Sequence, residues 1–334
     1  CYSLRADSDE VTLKISQCCD RWFSAHDWSD NQLSSHIQET KVDALIDLGG
    51  WSSGGRPNLF AKRLAPLQLT MLGMMQDTGL PCIDYRVSDR WLDSDEGPFV
   101  RGDEVERLVR HPMGAVPYLP PDDAGSCERG GCEVFTFGVV AQLEKVSRDV
   151  ARTWACVLRR VPSSRILILG DIGHRLQGWL CEDGVEPDRV ECRGRLPGEK
   201  YFSALREMDV ILDSFPFAGL TVTLDAAWMG VPTVTLAGRL PFERGGLMIA
   251  ERLRRHELVA ESIEDFVEIA VFISRDIVGL RADRGNLRES TRKAFGDAVA
   301  WTQAFEQILA SLLEQHCGVR TELKVGNALG RLKG

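Results

Sequence analysis

Uninterrupted apolar runs alternate with amphipathic segments along most of the chain. Short apolar runs predict strands at 42–48, 66–73, 84–89, 134–140, 165–171, 188–193, 209–213, 232–237 and 256–260, and an edge element at 102–112. Apolar residues three or four positions apart predict helices at 10–24, 29–41, 147–162, 198–208, 221–229, 243–254, 262–275, 279–294 and 297–316. Strands that are buried on both faces have this unbroken apolar character, so we expect parallel sheets covered by helices.

A stretch rich in Pro, Gly and Asp at 115–132 divides this pattern into two halves. Such composition is typical of a linker, so we place a first domain at 1–120 and a second at 130–296. Residues 297–316 are predicted to form a closing helix, and the tail 317–334 is expected to be loosely ordered. The predicted fold class is α/β, with two Rossmann-like domains facing a cleft and C-terminal helices. Ligands of such sheets bind beyond the carboxyl ends of the strands.

Composition narrows the functional classes. The 334 residues carry 40 Lys and Arg against 49 Asp and Glu, a formal charge of −9, so no nucleic-acid partner is expected. No apolar stretch approaches the roughly 20 residues of a membrane span. Ten scattered cysteines are typical of a reducing, cytoplasmic setting. Cys127 and Cys132 have no second pair at zinc-site spacing, so no metal is expected. Because no Met precedes Cys1, we expect the chain to start inside a longer polypeptide.

The stretch "DSFPFAGLTVTLDAAWMGVPTVTLAG" (213–238) places a threonine-rich turn between a strand and a helix. Thr221 or Thr223 is predicted to cap that helix, and its free N–H groups would attract an anion. Gly219 lets the backbone come close to a ligand. The same residues are also typical of a helix cap that binds nothing, so both interpretations stand on this stretch alone.

Gln142 and Lys145 follow the first strand of the second half and precede a helix. A lysine at that position points to the carboxyl end of the sheet, where its compact charge can neutralise a diphosphate. A solvated surface lysine is the alternative. Two features that suit phosphate at the same end of one sheet favour an anion site.

Several segments resemble one family. Residues 43–89, "AQLEKVS" (141–147), "RVPSSRILIL" (160–169), 195–238 and "LVAES" (258–262) are similar to the catalytic region of the O-GlcNAc transferase/SPINDLY family, glycosyltransferase family 41. The resemblance covers roughly residues 1–315 in order. It implies a GT-B fold and transfer of a sugar, without a metal and with inversion, from a nucleotide sugar to protein Ser or Thr. UDP-GlcNAc is the expected donor, and GDP-fucose is the alternative.

The resemblance also implies roles for individual residues. Lys145 corresponds to the lysine that stabilises the leaving diphosphate, and Gln142 to a neighbouring glutamine that faces the phosphates. Thr221 corresponds to a threonine that holds the diphosphate, and Asp225 to an acidic residue that reaches the ribose. Tyr201 replaces a histidine near the base and keeps an aromatic surface for stacking. Upstream tetratricopeptide repeats, which present acceptors in many members, are an expectation for the full-length protein.

The sequence departs from the family at several site positions. Residues 49–52 (GGWS) stand where the family has Asn-Gly-His or Asn-Gly-Tyr followed by Thr, and 74–77 (MMQD) replace a Tyr-Pro-Gly-Thr loop. Arg21 stands where a histidine is expected, with His26 as a poor substitute. A segment with a further active-site histidine would precede Cys1. No general base is identified, although Asp77 is a candidate carboxylate.

Leu220 and Val222 occupy turn positions that are commonly polar in the family. These departures leave two leading interpretations. The first is a transferase that moves a sugar, GlcNAc by preference, to protein hydroxyls. The second is a divergent homologue that binds a nucleotide or a protein partner without efficient transfer. Another GT-B enzyme, such as a nucleotide-sugar epimerase, agrees less well with 213–238.

Overall fold

The computed structural model describes residues 1–52, 54–73, 75–94, 106–129 and 134–317. Its strands are β1 (Tyr2–Ser3), β2 (Phe23–Ser24), β3 (Ala44–Asp47), β4 (Leu67–Thr70), β5 (Tyr85–Ser88), β6 (Arg107–Arg110), β7 (Thr136–Val140), β8 (Arg165–Leu169), β9 (Val190–Arg193), β10 (Val210–Leu212), β11 (Thr233–Leu236) and β12 (Val259–Ala260). Its helices are α1 (Glu10–Cys18), α2 (Asp30–Thr40), α3 (Arg148–Arg160), α4 (Gly173–Glu182), α5 (Gly198–Arg206), α6 (Thr221–Trp228), α7 (Gly245–Leu253), α8 (Ile263–Ile273), α9 (Ile277–Ala282), α10 (Arg284–Phe295) and α11 (Ala298–Cys317). No described helix is both long and apolar enough to cross a bilayer.

The chain divides into two compact units. The first unit comprises Cys1–Arg90, Ser94–Val116 and the chain from Val299 onward, and the second comprises Trp91–Asp93 and Pro117–Ala298. The C-terminal helix α11 therefore belongs with the N-terminal half of the chain. The loosely ordered tail is predicted for 317–334; Cys317 is instead the last residue of α11, and residues 318–334 lie outside the described residues.

The first unit contains a parallel sheet of order β3-β4-β5-β6 and a short parallel pair, β1 and β2. Leu67 and Leu69 of β4 are fully buried against Trp301 and Leu312 of α11. This packing explains why the last helix joins this unit. A second apolar cluster collects α2 and the segment after β3, with Leu33 almost completely buried.

The second unit contains a six-stranded parallel sheet of order β12-β11-β10-β7-β8-β9. The chain starts in the middle at β7, moves outward to β9, and then crosses back so that β10 pairs with the other edge of β7. The order therefore reverses between β7 and β10, which is the topological switch point of a doubly wound sheet. Ligands of such sheets bind beyond the strand ends at this point.

Strand β8 shows why the apolar runs are unbroken. Its alternate residues Ile166 and Ile168 pack into one core cluster, while Leu167 and Leu169 pack into the cluster on the opposite face. All four are at most 2% exposed. The expectation of strands buried on both faces is confirmed for this sheet, and both faces are covered by helices.

The helices differ from the predictions at three places. Helix α4 (Gly173–Glu182) was not predicted, and the single helix predicted at 279–294 is divided at Asp283 into α9 and α10. The helix predicted at 10–24 ends at Cys18, because the chain returns as β2 to pair with β1.

Candidate functional site

A cavity of about 270 Å³ opens at the switch point of the second unit, hereafter the switch-point cavity. The residues that follow strands β7, β8, β9 and β10 all contribute to its lining. Four residues predicted to bind nucleotide sugar line it together, namely Gln142, Lys145, Tyr201 and Gly219. Segments far apart in sequence meet here because the carboxyl ends of parallel strands share one edge of the sheet.

Lys145 supplies a cation to this cavity. It ends a single 3-10 turn after β7, and its backbone N–H donates to the carbonyl of Gln142 at 3.1 Å. The Lys145 ammonium lies 4.1 Å from the centre of the Phe217 ring, a cation–π contact. Burial lowers the pKa of the Lys145 ammonium, and the negative charge of Asp213 opposes that shift. The lysine is thus half-buried and held by an aromatic face, ready to receive an anionic group.

Asp213 organises the turn beside Lys145. One carboxylate oxygen accepts from the backbone N–H of Ser214 at 2.9 Å and of Gly219 at 2.8 Å. The other accepts from the Thr235 hydroxyl at 2.8 Å. Burial raises the pKa of the Asp213 carboxyl to about 6. Sequence reasoning did not identify this residue, although a carboxylate directly after a buried strand is a signal for such a role.

Helix α6 begins without the predicted threonine cap. Its N-cap is Leu220, which makes no side-chain hydrogen bond, and Thr221 is the first helical residue. The capping prediction for Thr221 and Thr223 is therefore wrong, because the turn places both side chains after the cap position. Thr223 is 4% exposed, and its hydroxyl has no hydrogen-bond partner among the described residues. Neither threonine lines the switch-point cavity, whereas Val222 does.

The turn leaves little room for a side chain at Gly219. A Cβ atom there would lie 2.7 Å from the Thr223 hydroxyl oxygen and 3.1 Å from a carboxylate oxygen of Asp213. The turn thus packs directly on its supporting side chains. This close approach lets the backbone before α6 form part of the cavity wall.

Asp225 also lies away from the cavity lining. It is 8% exposed, and its two oxygens accept from the Tyr118 hydroxyl at 2.7 Å and the Tyr201 hydroxyl at 3.1 Å. Burial raises the pKa of the Asp225 carboxyl, and the two tyrosine hydrogen bonds oppose that rise. Of this group only Tyr201 reaches the cavity.

Arg195 lines the cavity too, and sequence reasoning missed it. It follows β9, pairs with Asp171 at 3.4 Å, and keeps 71% of its side chain exposed. The signal was its place after Gly194 at the end of a strand, which matches the position of Lys145 after β7. The mouth of the cavity therefore carries a second cation.

In the first unit, hydrogen bonds within the chain hold the two segments that depart from the family pattern, 49–52 and 74–77. Asp47, at the end of β3, accepts from the backbone N–H groups of Gly49 and Gly50, and the indole of Trp51 donates to the Thr78 carbonyl at 3.2 Å. The Asp77 carboxylate accepts from the N–H of Gly79 at 2.7 Å. Met74 and Cys132 lie outside the described residues. Within the described ranges, no group of three or more His, Cys, Asp or Glu is placed to hold a metal ion.

The profile described as Glycosyl transferase family 41 matches residues 1–96 and 132–297. The chain is 32% identical over 307 residues to the probable UDP-N-acetylglucosamine–peptide N-acetylglucosaminyltransferase SPINDLY of Petunia hybrida, covering 89% of this chain and 33% of that protein. It is 26% identical over 339 residues to the similarly described SEC of Arabidopsis thaliana, covering 95% and 34%. The chain thus spans about a third of the length of the curated relatives it matches.

Solved structures of glycosyltransferases have a similar fold. A mutant O-GlcNAc transferase of Thermobaculum terrenum superposes with a TM-score of 0.85 at 29% identity, covering 95% of this chain and 62% of that one. A mutant TarM of S. aureus, with a TM-score of 0.55 at 11% identity over 82% and 57% of the two chains, shows the shared fold alone. The predicted GT-B fold is confirmed. Together with the profile match over most of its length, these similarities show that the chain belongs to glycosyltransferase family 41.

Proposed function

We propose that this chain carries the catalytic region of an inverting, metal-independent transferase that moves GlcNAc from UDP-GlcNAc to Ser or Thr hydroxyls of proteins. The observation that carries the proposal is the switch-point cavity, where Lys145, Gln142 and the turn at Gly219 meet at the end of one parallel sheet. The SPINDLY and SEC relatives are described as probable UDP-N-acetylglucosamine–peptide N-acetylglucosaminyltransferases, which supports peptide as acceptor and UDP-N-acetylglucosamine as donor. GDP-fucose is the alternative donor. The scattered cysteines support a reducing, cytoplasmic setting.

The cavity residues suit the departure of a nucleoside diphosphate. When the acceptor oxygen bonds to the anomeric carbon, the bond from that carbon to the diphosphate oxygen breaks and negative charge grows on the leaving phosphate. Lys145 and the free N–H groups at the start of α6 would stabilise this charge. The diphosphate would in turn favour the charged ammonium, which burial alone disfavours.

The second candidate function is nucleotide or partner binding without efficient transfer. It is favoured by Val222, which places an apolar side chain in the cavity wall where polar residues are common in the family. Asp225 adds to it, because both of its oxygens accept from tyrosines. A weaker hold on the nucleotide would follow from both features.

Calorimetric titration with UDP, UDP-GlcNAc and GDP-fucose tests the proposal. Removal of the ammonium in Lys145→Ala is expected to weaken binding of the preferred nucleotide by roughly 10- to 100-fold, the contribution of a charge-assisted contact. Lys293→Ala is the matched control, because that lysine is exposed and contacts Glu289 on the surface. The Lys293→Ala variant should bind the nucleotide as tightly as the wild type does.

Transfer to a peptide by the full-length protein distinguishes the two candidate functions. Transfer that Lys145→Ala slows, with Lys293→Ala unaffected, supports the transferase. Nucleotide binding without turnover would support the second function. If the wild-type chain bound none of the three nucleotides, the transferase and the nucleotide-binding form of the second function would both be refuted.

A further inference from the structure

We infer that Asp225 is a positioning residue, which acts on the nucleotide through Tyr201 instead of touching the ribose itself. The inference rests on the proposed function and concerns the triad of Tyr118, Tyr201 and Asp225. It differs from the role that the family resemblance implies for Asp225. In this chain each carboxylate oxygen accepts a hydrogen bond from the phenol group of another segment.

The hydrogen bonds of the triad use both carboxylate oxygens. Tyr118 Oη donates to Asp225 Oδ1 at 2.7 Å, and Tyr201 Oη donates to Oδ2 at 3.1 Å. Asp225 is 8% exposed, and the cavity lining contains Tyr201 but not Asp225. A sugar hydroxyl that entered the cavity would therefore meet the tyrosine before it could meet the carboxylate.

The two phenols remain neutral donors. Burial and the negative charge of Asp225 both raise the pKa of Tyr118 and of Tyr201. A buried carboxylate is stable only when donors satisfy it, so the tyrosine hydrogen bonds are required for Asp225 to stay charged at this position. The three groups are thus mutually dependent, because loss of one tyrosine hydroxyl leaves one carboxylate oxygen of Asp225 without its donor.

The segment that carries Tyr118 is itself anchored. The backbone N–H of Tyr118 donates to the carbonyl of Phe295, the last residue of α10, at 3.0 Å. Tyr201 lies in α5 and packs edge-on against Phe202 at 5.1 Å. With its hydroxyl directed to Asp225, the Tyr201 ring is held in one rotamer and presents an apolar surface to the cavity. A fixed aromatic surface of this kind suits stacking of a nucleobase.

A nucleotide that lacks the ribose hydroxyls tests this inference. Affinity for a nucleoside diphosphate and for its 2′,3′-dideoxy analogue is measured by calorimetry on the wild type, Asp225→Asn, Tyr201→Phe and the double variant, with UDP or GDP according to which one the wild type binds. We expect Asp225→Asn and Tyr201→Phe each to weaken both ligands by the same factor, roughly 3- to 10-fold, which is the cost of ordering one side chain on binding once the Tyr201 ring is no longer held in place. The preference for the ribose hydroxyls should be unchanged.

The double variant separates positioning from general destabilisation. If Asp225 acts through Tyr201, Asp225→Asn should have little further effect on affinity in the Tyr201→Phe background, while the two single losses would multiply if they were independent. Tyr118→Phe, which leaves the Tyr201 contact in place, should weaken binding less than Tyr201→Phe does.

Two outcomes would overturn the inference, and they differ from failure of the proposed function. A loss confined to the ligand with ribose hydroxyls in Asp225→Asn would show direct ribose contact. Multiplying losses in the double variant would show independent roles. Failure of the proposed function would instead appear in the wild type, as absence of binding to any nucleotide.

Discussion

A carboxylate that is removed from water needs donors on its oxygens, and Asp213 and Asp225 meet this need in different ways. Asp213 uses backbone N–H groups and the hydroxyl of Thr235, and so fixes the turn before α6. Asp225 uses two phenols, and so fixes Tyr201. Each carboxylate shapes the switch-point cavity from behind its wall.

The buried carboxylate of Glu106, in the first unit, has a hydrogen-bond donor on only one of its two oxygens among the described residues. It is 3% exposed; one oxygen accepts from the Thr78 N–H at 3.0 Å and from the Thr78 hydroxyl, and the other has no hydrogen-bond partner among the described residues. Burial raises the pKa of Glu106 to about 7; the charge of Asp77 acts in the same direction and that of Arg86 opposes it. Such a group links stability to pH.

The pH dependence has a definite sign. In the unfolded chain Glu106 loses its proton near pH 4.3, whereas in the folded protein it keeps the proton to about pH 7. Its contribution to stability is therefore complete below about pH 4.3 and is lost as pH rises through 7. Glu106→Gln removes this dependence, so we expect the variant to exceed the wild type in unfolding free energy by about 3–4 kcal/mol at pH 8.5. At pH 4.5 the two should be nearly equal.

Urea denaturation at the two pH values measures this difference. Glu39→Gln is the control, because Glu39 is exposed on α2 of the same unit and should leave the pH dependence unchanged. Equal pH dependence in Glu106→Gln and the wild type would contradict the assigned role of Glu106.

At the level of elements, the sequence predicted those whose burial follows one simple pattern. Strand β8 is an unbroken apolar run, and α3 has a Ser147 cap followed by a regular apolar face. Helix α4 has neither signal: its N-cap Ile172 makes no side-chain hydrogen bond, and Gly173 and Gly178 weaken its helical pattern. Only tertiary packing of Leu176 and Leu180 identifies it.

The candidate site shows the same limit. Gln142, Lys145 and Gly219 could be identified because each follows a predicted strand, and the fold brings strand ends together. The triad could not be predicted, because Tyr118 is 107 residues from Asp225 and only the folded chain brings them into contact. The mistaken threonine cap has a local cause, since Leu220 occupies the N-cap position and Thr221 is already the first helical residue of α6.

The turn before α6 depends on the absence of a side chain at Gly219. In Gly219→Ala the new methyl group would press on Thr223, Val222 and Asp213, all within 3.1 Å. We expect a loss of about 1–3 kcal/mol in unfolding free energy, typical of overpacking, together with weaker nucleotide binding. Thermal denaturation and calorimetric titration measure the two effects.

Gly178→Ala in α4 is the matched control for Gly219→Ala. A Cβ atom there would have no heavy atom within 4 Å, and alanine favours a helix by roughly 0.5–1 kcal/mol. This variant should be at least as stable as the wild type and bind nucleotide equally well. Similar behaviour of the two variants would show that the turn yields to the extra methyl group.

At the scale of the molecule, one buried carboxylate joins distant parts of the second unit. Asp209 is completely buried and accepts from the Thr136 N–H at 2.9 Å. Arg281 donates to it at 2.9 Å, Arg129 forms a close ion pair with it, and Arg284 lies 3.7 Å away. Segments before β7, before β10 and in the C-terminal helices α9 and α10 thus converge on one side chain.

Neutralising Asp209 should loosen all of these segments together. In Asp209→Asn the three arginines lose their shared countercharge inside the protein, which typically costs about 3–5 kcal/mol. The exposed pair of Arg160 and Glu268 provides the control, because Glu268→Gln should cost at most about 1 kcal/mol. Hydrogen exchange of peptides from β7, β10 and α10 should accelerate in Asp209→Asn and not in Glu268→Gln. A loss no larger than that of the control would mean that the arginines are satisfied by backbone carbonyls, as Arg284 is in part by Arg206 at 2.9 Å.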